Sequence, residues 1–404
     1  MATDIYIGRQ PIYDRKLQLI GYELLFRDSN ENRAVISDAT LATSEVIVNS
    51  CLEIGMNRLV GDRLAYLNIP RDFIVNHAQI ALPHQNVVIE VLEDVTGDAD
   101  VLEGLADLKS KGYVIALDDF VLNSDNSALI GFADLIKVDI RAHNASSLTV
   151  AVKELRKYQT RLLAEKVETE EEFQHCLELG FDEFQGYFLS KPQIVQGRKI
   201  AKNKLNLLKL MATLQNPEVS VDEQETVISR DVALSYSLLR YINSAAFGLS
   251  KKVSSVRQAV MYLGYQNIRK WATILTLSQM NDCPTPLLLT SMIRAHLCES
   301  IAAELNCKQK DACFTTGLFS ALDAITKTPM DEILANLPLS QDITAALAKH
   351  EGDIGKILEL SLNWEQSAWD KIKTPLIDQK RMNELYLNAI EYGEKTFSEI
   401  TNAA

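Results

Sequence analysis

Apolar and polar positions follow two different rhythms along this chain. In the first half, short runs rich in Val, Ile, Leu and aromatic residues alternate with amphipathic runs. Seven of the short runs read as strands: QLIGYELLF, LAYLNI, NVVIEVL, YVIALDDF, DLIKVDI, RLLAEKV and FDEFQGYF. Most are bounded by Gly, Pro or Asp. Several are almost continuously apolar, as strands covered on both faces are. Between them, ATLATSEVIVNSCLEI, DADVLEGLADLKS, SLTVAVKELRKY and TEEEFQHCLEL carry the three- and four-residue spacing of helices. Repeated strand–helix alternation predicts a parallel sheet, open or closed into an α/β barrel of the TIM type. Seven runs are one short of the eight that closure needs.

From about Gln193 the strand rhythm stops. AKNKLNLLKLMATL, DEQETVISR, VALSYSLLRYINSA, SVRQAVMYLG and QNIRKWATILTLSQM all show helical spacing. The second half therefore reads as an all-α helical bundle. Ser190-Lys191-Pro192 marks the boundary, giving a barrel domain over 1–193 and a helical domain over 194–404. Asn281 to Pro286 reads as a loop inside the second domain.

Bulk chemistry narrows the function classes. Two domains suit 404 residues, and a 47% hydrophobic composition suits a globular protein with a sizeable core. A formal net charge of -13 repels phosphate backbones, so direct nucleic-acid binding is not expected. The six cysteines form no Cys-x-x-Cys pair and read as free thiols of a reducing compartment. No leader pattern and no apolar run of about 18 residues occurs, so a cytoplasmic location without a membrane span is expected.

The candidate chemistry lies where polar residues meet strand ends. Glu23, Asn68, Glu90, Asp118, Asp119, Lys137, Asp139, Glu165, Glu168 and Gln185 sit in or just after predicted strands. The C-terminal strand ends of a β/α barrel form its active-site mouth. Carboxylates converging there could hold divalent cations, and a metal pair activates water and clamps a phosphodiester.

These residues carry a resemblance to the EAL family of cyclic-di-GMP phosphodiesterases, which are TIM-like barrels. Glu23-Leu24-Leu25-Phe26-Arg27 resembles the Glu-x-Leu-x-Arg signature, and Asn68 in YLNIP resembles the metal-binding Asn. Glu90 in VVIEVLE, Asp118-Asp119-Phe120, Lys137 and Asp139 in IKVD, Glu165 and Glu168 in AEKVET, and Gln185 in FQGYFLSKP follow in the family's order. The resemblance implies metal ligation by Glu23, Asn68, Glu90, Asp118 and Asp119. It implies catalytic roles for Glu165 and Lys137, and nucleotide contacts from Arg27, Gln185 and Glu168. Mg²⁺ or Mn²⁺ would be the ion at the mouth, although a regulator of this type requires no cofactor.

The chain also departs from that pattern. The family follows Asp-Asp-Phe with Gly-Thr-Gly-Tyr, whereas Val121 and Asn123 occupy the two glycine slots here. Leu24 stands where Ala is usual, and Lys166 replaces the Gly of Ala-Glu-Gly-Val-Glu. Glycine permits positive φ and close backbone approach, so these changes imply weak or absent hydrolysis.

The second half resembles the HDOD family, a non-catalytic relative of HD-type metal hydrolases. Ile228 to Asp231, Leu238-Leu239-Arg240 with Asn243-Ser244-Ala245, and Ala259 through Leu263-Gly264 carry the likeness. Of six histidines none precedes an Asp, and Ser320-Ala321 fills the slot of the His-Asp pair. His296 is either a relic of a metal ligand or, more simply, a locally bonded helix residue. The resulting expectation is a non-catalytic signal-transduction regulator and scaffold of cyclic-di-GMP signalling. The helical domain would recruit other signalling proteins, with cyclic-di-GMP as a candidate ligand and homodimerisation left open. The alternative is an active cyclic-di-GMP phosphodiesterase.

Overall fold

A computed structural model of the chain describes residues 5–28, 55–76, 83–120, 126–186, 202–216, 219–243, 253–278, 280, 285–368, 371–372 and 377–403. The chain divides into two compact units. One comprises Met1–Lys191 with Asn363–Asn383, and the other Pro192–Leu362 with Glu384–Ala404.

In the first unit eight strands close into a barrel in chain order. They are β1 (Ile5–Asp14), β2 (Leu19–Asp28), β3 (Leu64–Ile69), β4 (Val87–Val91), β5 (Val114–Leu117), β6 (Leu135–Asp139), β7 (Arg161–Glu165) and β8 (Glu183–Gln185). The strand absent from the seven-run reading is β1, IYIGRQPIYD. Arg9 and Gln10 interrupt its apolar run, and Pro11 demotes it from a central strand. The structure accommodates that proline: β8 pairs with β1 only over Ile12–Asp14, so Pro11 lies beyond the shared ladder.

β1 also runs against the expected direction. It is antiparallel to both β2 and β8, while the remaining pairs from β2 to β8 are parallel. A tight turn causes the reversal. Asp14 Oδ1 accepts the backbone N–H groups of Lys16 and Gln18, each at 2.8 Å, and Leu17 adopts a left-handed φ of 59°. Such Asx bonding mimics a backbone turn.

Strand parity builds the interior. Side chains two residues apart share a face. Ile12, Tyr66, Val88, Ala116, Leu135 and Leu163 form a fully buried apolar floor. Two residues further toward the C-terminal ends of the parallel strands stand Asn68, Glu90, Asp118, Lys137 and Glu165. Floor and mouth are thus successive layers of one inward face. Tyr66 is the largest floor residue, and its hydroxyl donates to the buried Glu183 at 2.9 Å.

Helices cover the barrel. Thr169 and Glu172 form a reciprocal cap on the helix Glu170–Leu179. Asp98 caps the helix Ala99–Ser110, which packs so closely on the short helix Arg71–Val75 that a Cβ on Gly104 would lie 2.3 Å from the Ile74 carbonyl oxygen.

The second unit is helical throughout its described residues. At its centre, the helix Thr285–Glu304 is buried along nearly its whole length, as a helix apolar on every side must be. Among the described residues no helix is long and apolar enough to cross a membrane.

We expect Gly104→Ala to destabilise the barrel by about 1–3 kcal/mol, the usual cost of overpacking. Urea unfolding followed by circular dichroism measures it. A change below about 0.5 kcal/mol, typical of neutral surface sites, would show that the Ile74 contact relaxes freely.

Candidate active site

The inward polar layer gathers around one lysine. The Lys137 side chain is 1% exposed, and its Nζ lies 2.7 Å from Asp118 Oδ1 and 2.9 Å from both Glu90 Oε1 and Glu165 Oε1. Glu23 Oε2 completes the ring at 3.5 Å. Glu23 is held from two sides: Asn68 Nδ2 donates to Oε1 at 3.0 Å, and Gln185 Nε2 donates to Oε2 at 2.6 Å. The same Gln185 amide reaches Gln10 Oε1 at 2.8 Å. Strands β1 to β8 thereby meet through side chains as well as through backbone ladders.

Burial and charge set the protonation of the ring. Burial pushes the Glu90 carboxyl well above its ordinary range, against the pull of Lys137 and with help from Glu23 and Asp118. Burial raises Asp118 as well, and pushes Glu165 up to about 8. Glu23 goes the other way. Burial opposes its ionisation, but the Lys137 charge and the hydrogen bonds from Gln185 and Asn68 prevail and hold it low. For Lys137 burial favours the neutral amine, yet the surrounding carboxylates outweigh it and keep the ammonium well above its usual range. The result is a buried cluster whose charge is balanced by an ammonium and by protons.

The donor chemistry fits a hard divalent cation. Every candidate ligand offers oxygen, the donor preferred by Mg²⁺, Mn²⁺ and Ca²⁺. Asn68 Oδ1, Asp119 Oδ1 and Gln185 Oε1 are buried with no hydrogen-bond partner, and the Glu90 oxygens and Asp118 Oδ1 make no aligned hydrogen bond. Among the described residues, no three acidic, His or Cys side chains surround a free coordination point, because Lys137 Nζ holds the centre.

The other candidate residues lie outside this ring. Asp119 has a φ of 42°, and its Oδ2 is 3.9 Å from Lys166 Nζ. Lys166 occupies the expected glycine slot in a left-handed conformation with φ 56°, and its ammonium pairs with Asp139. Glu168 stands past the end of β7, 3.3 Å from Arg141 Nη2. Leu24 is fully buried and, being next to Glu23, faces the opposite side of the strand. The Arg27 side chain, Val121 and Asn123 fall outside the described residues. A cavity of about 250 Å³, lined by Val91, Leu117, Asp118 and Phe120 among others, opens beside the ring.

Sequence reasoning missed Gln10 and Arg141. Gln10 belongs to the strand that was not recognised, and its signal was an amide two residues before a buried Ile12. Arg141 bridges Glu168 and Glu172 and lies after β6, where no motif singled it out.

In the helical unit the HD slot is filled by Ser320 and Ala321 in place of the His-Asp ligand pair. Ser320 Oγ accepts from Arg294 Nη1 at 2.7 Å and donates to the Gly317 carbonyl. His296 stacks on Tyr392 instead of joining a ligand cluster. Asn243 latches the chain by bonding the Val253 N–H and carbonyl and the Leu239 carbonyl, and Ser244 lies outside the described residues.

The raised Glu165 pKa has a consequence for stability without divalent cations. An unfolded chain releases this proton near the ordinary 4.5, whereas the folded protein keeps it to about 8. Between those values the folded state holds more protons, so this group's contribution is complete at lower pH and is lost as pH rises. We expect Glu165→Gln to reduce the fall in melting temperature between pH 4.5 and 8. An unaltered slope would place the ionisation on other groups.

Comparison with known proteins agrees with these two units. An EAL domain matches residues 61–192 and an HDOD domain matches residues 204–350. The EAL match begins after β2 and so omits Glu23. The Cyclic di-GMP phosphodiesterase CdgJ of Vibrio cholerae is 33% identical over 373 residues, covering 91% of this chain and 86% of that protein. The uncharacterized protein YuxH of Bacillus subtilis is 31% identical over 403 residues, covering 96% and 98%. Among solved structures, a standalone EAL protein from Vibrio cholerae O395 in its c-di-GMP-bound form is 23% identical, covering 47% of this chain and 93% of that one with a TM-score of 0.38. With both domains present in one order and relatives matched along almost their whole length, the chain belongs to the EAL–HDOD family of two-domain proteins of cyclic-di-GMP signalling.

Proposed function

We propose that the barrel is a divalent-metal-dependent cyclic-di-GMP phosphodiesterase and that the helical domain regulates it or passes on its state. One observation carries this reading: Glu23, Asn68, Glu90, Asp118, Lys137, Glu165 and Gln185 converge in one inward layer from six different strands and the end of β5. A structural core has no need for so many buried acids and amides in one place. The near-full-length relative named a cyclic di-GMP phosphodiesterase supports the same substrate.

Glu23, Asn68, Glu90, Asp118 and Asp119 would hold the cations, which when bound supply positive charge to the phosphodiester and an acidified water. The chain's own groups do the rest. Glu165, whose pKa is pushed up to about 8, would take a proton from an attacking water in its ionised form, which gains population as pH rises toward 8. The buried Lys137 ammonium would hold Glu90, Asp118 and Glu165 in place and balance their charge. Gln185 orients Glu23 and keeps its own Oε1 unbonded. Water adds across one P–O bond, and the cyclic dinucleotide opens to its linear form.

Two observations favour a second reading, a regulator and scaffold that does not hydrolyse the dinucleotide. Val121 and Asn123 replace the loop glycines, and the lysine occupies the middle of the acidic ring. In that reading the barrel is a docking or sensing surface, and the helical domain recruits signalling proteins.

Turnover by the full chain with Mg²⁺ or Mn²⁺ separates the two. We expect linear diguanylate to form, and Glu23→Ala to slow it about 100-fold or more, the scale of removing a preorganised electrostatic group. No turnover with either ion would overturn the enzymatic reading and leave the regulator.

A further inference from the structure

The helical unit contains a cavity of its own, about 400 Å³ in volume. That lies within the range of small-molecule sites. Its lining includes Lys270 and Trp271 from the helix Tyr265–Ser278, His296 and Glu299 from the helix Thr285–Glu304, Lys310, and Tyr392 from the helix Gln379–Ala403. Two features of this lining point to a ligand class.

The first is a ladder of rings. Tyr241 and Trp271 have centroids 4.5 Å apart. Trp271 and Tyr392 follow at 6.1 Å and 27°. Tyr392 and His296 close the series at 4.1 Å and 12°. Trp271 and His296 both pack on Tyr392, and His296 ends the series. Its side chain lines the cavity with 28% of its surface exposed, and no further ring stacks beyond it among the described residues. Burial also lowers its pKa, so at neutral pH it presents an uncharged planar face.

The second is an unused cation. Lys270 is engaged by Glu299 and Asp311. Lys310 has no carboxylate partner among the described residues and stands exposed at the cavity. In a chain of net charge -13, a free lysine beside an unfinished aromatic stack is a local exception to the general repulsion of anions.

We propose that this cavity binds a mononucleotide, its base continuing the ladder on the outer face of His296 and its phosphate meeting Lys310. Base–aromatic stacking is tolerant of base identity and contributes about 1–3 kcal/mol. The lysine supplies the charge-assisted contact for phosphate. Neither group belongs to the barrel mouth, so the site is independent of whether the barrel hydrolyses its substrate.

Guanosine monophosphate is the probe, titrated into the full chain without divalent cations and followed by tryptophan fluorescence and calorimetry. We expect saturable binding that Lys310→Glu and His296→Ala each weaken about ten-fold or more, corresponding to about 1.4 kcal/mol. Lys310 is exposed, so Lys310→Glu remains informative even if His296→Ala fails to fold; circular dichroism checks both. Glu90→Gln should leave the affinity unchanged. Absence of saturable binding overturns the inference. So does binding lost in Glu90→Gln but kept in Lys310→Glu, which locates the probe at the barrel mouth. Inorganic phosphate displacing the probe while guanosine does not bind would reduce the cavity to a plain anion site, and that result too overturns it.

Discussion

Four carboxyl groups cannot be buried together as four negative charges. The barrel mouth solves this by placing Lys137 among Glu23, Glu90, Asp118 and Glu165, with every distance to its Nζ at 3.5 Å or less. Each buried ion alone would cost several kcal/mol in lost hydration, which close and multiple pairing offsets. The remaining imbalance is met by protons on groups whose pKa is pushed up, Glu90 and Glu165 above all. The ring is therefore a charge-neutralising device whatever else it does. Any divalent cation that joins it must displace the ammonium or protons, because metal ligands bind deprotonated.

The ring in turn depends on the pleat. A strand residue and its second neighbour face the same way, so a floor of Tyr66, Val88, Ala116, Leu135 and Leu163 dictates that positions 68, 90, 118, 137 and 165 point inward as well. One fully buried apolar layer thus fixes the height and direction of the polar layer above it. The reversed strand β1 completes the enclosure. It brings Gln10 to Gln185, and through Gln185 to Glu23, joining the first and last strands at the level of the site.

Much of this is legible in the sequence itself. The apolar runs identified β2 to β8, and the acids at their ends named the ring residue by residue. What periodicity could not supply was β1, where Arg9, Gln10 and Pro11 hide a strand that is half covered by only a three-residue ladder with β8. It also could not show that Lys137 sits within the acids and not at their edge. That is a matter of distance between strands, which spacing along one strand does not encode. Glu168 illustrates the limit from the other side: it follows a motif faithfully, yet its position past β7 turns it to Arg141.

The substituted glycines bear unequally on the chemistry. At Lys166 the glycine-like backbone survives, with φ 56°. The left-handed conformation costs roughly 1–2 kcal/mol for a residue with a Cβ, and pairing of the ammonium with Asp139 offers compensation on the spot. Replacement of a motif glycine is therefore compatible with retention of the motif's geometry. Asn123 falls in the same class, since asparagine visits this region more readily than most residues. Val121 does not. A β-branched side chain resists positive φ most strongly, and it has no polar group to form a compensating pair. Of all the departures from the EAL pattern, the one at Val121 is the least compatible with the backbone freedom that a motif glycine provides.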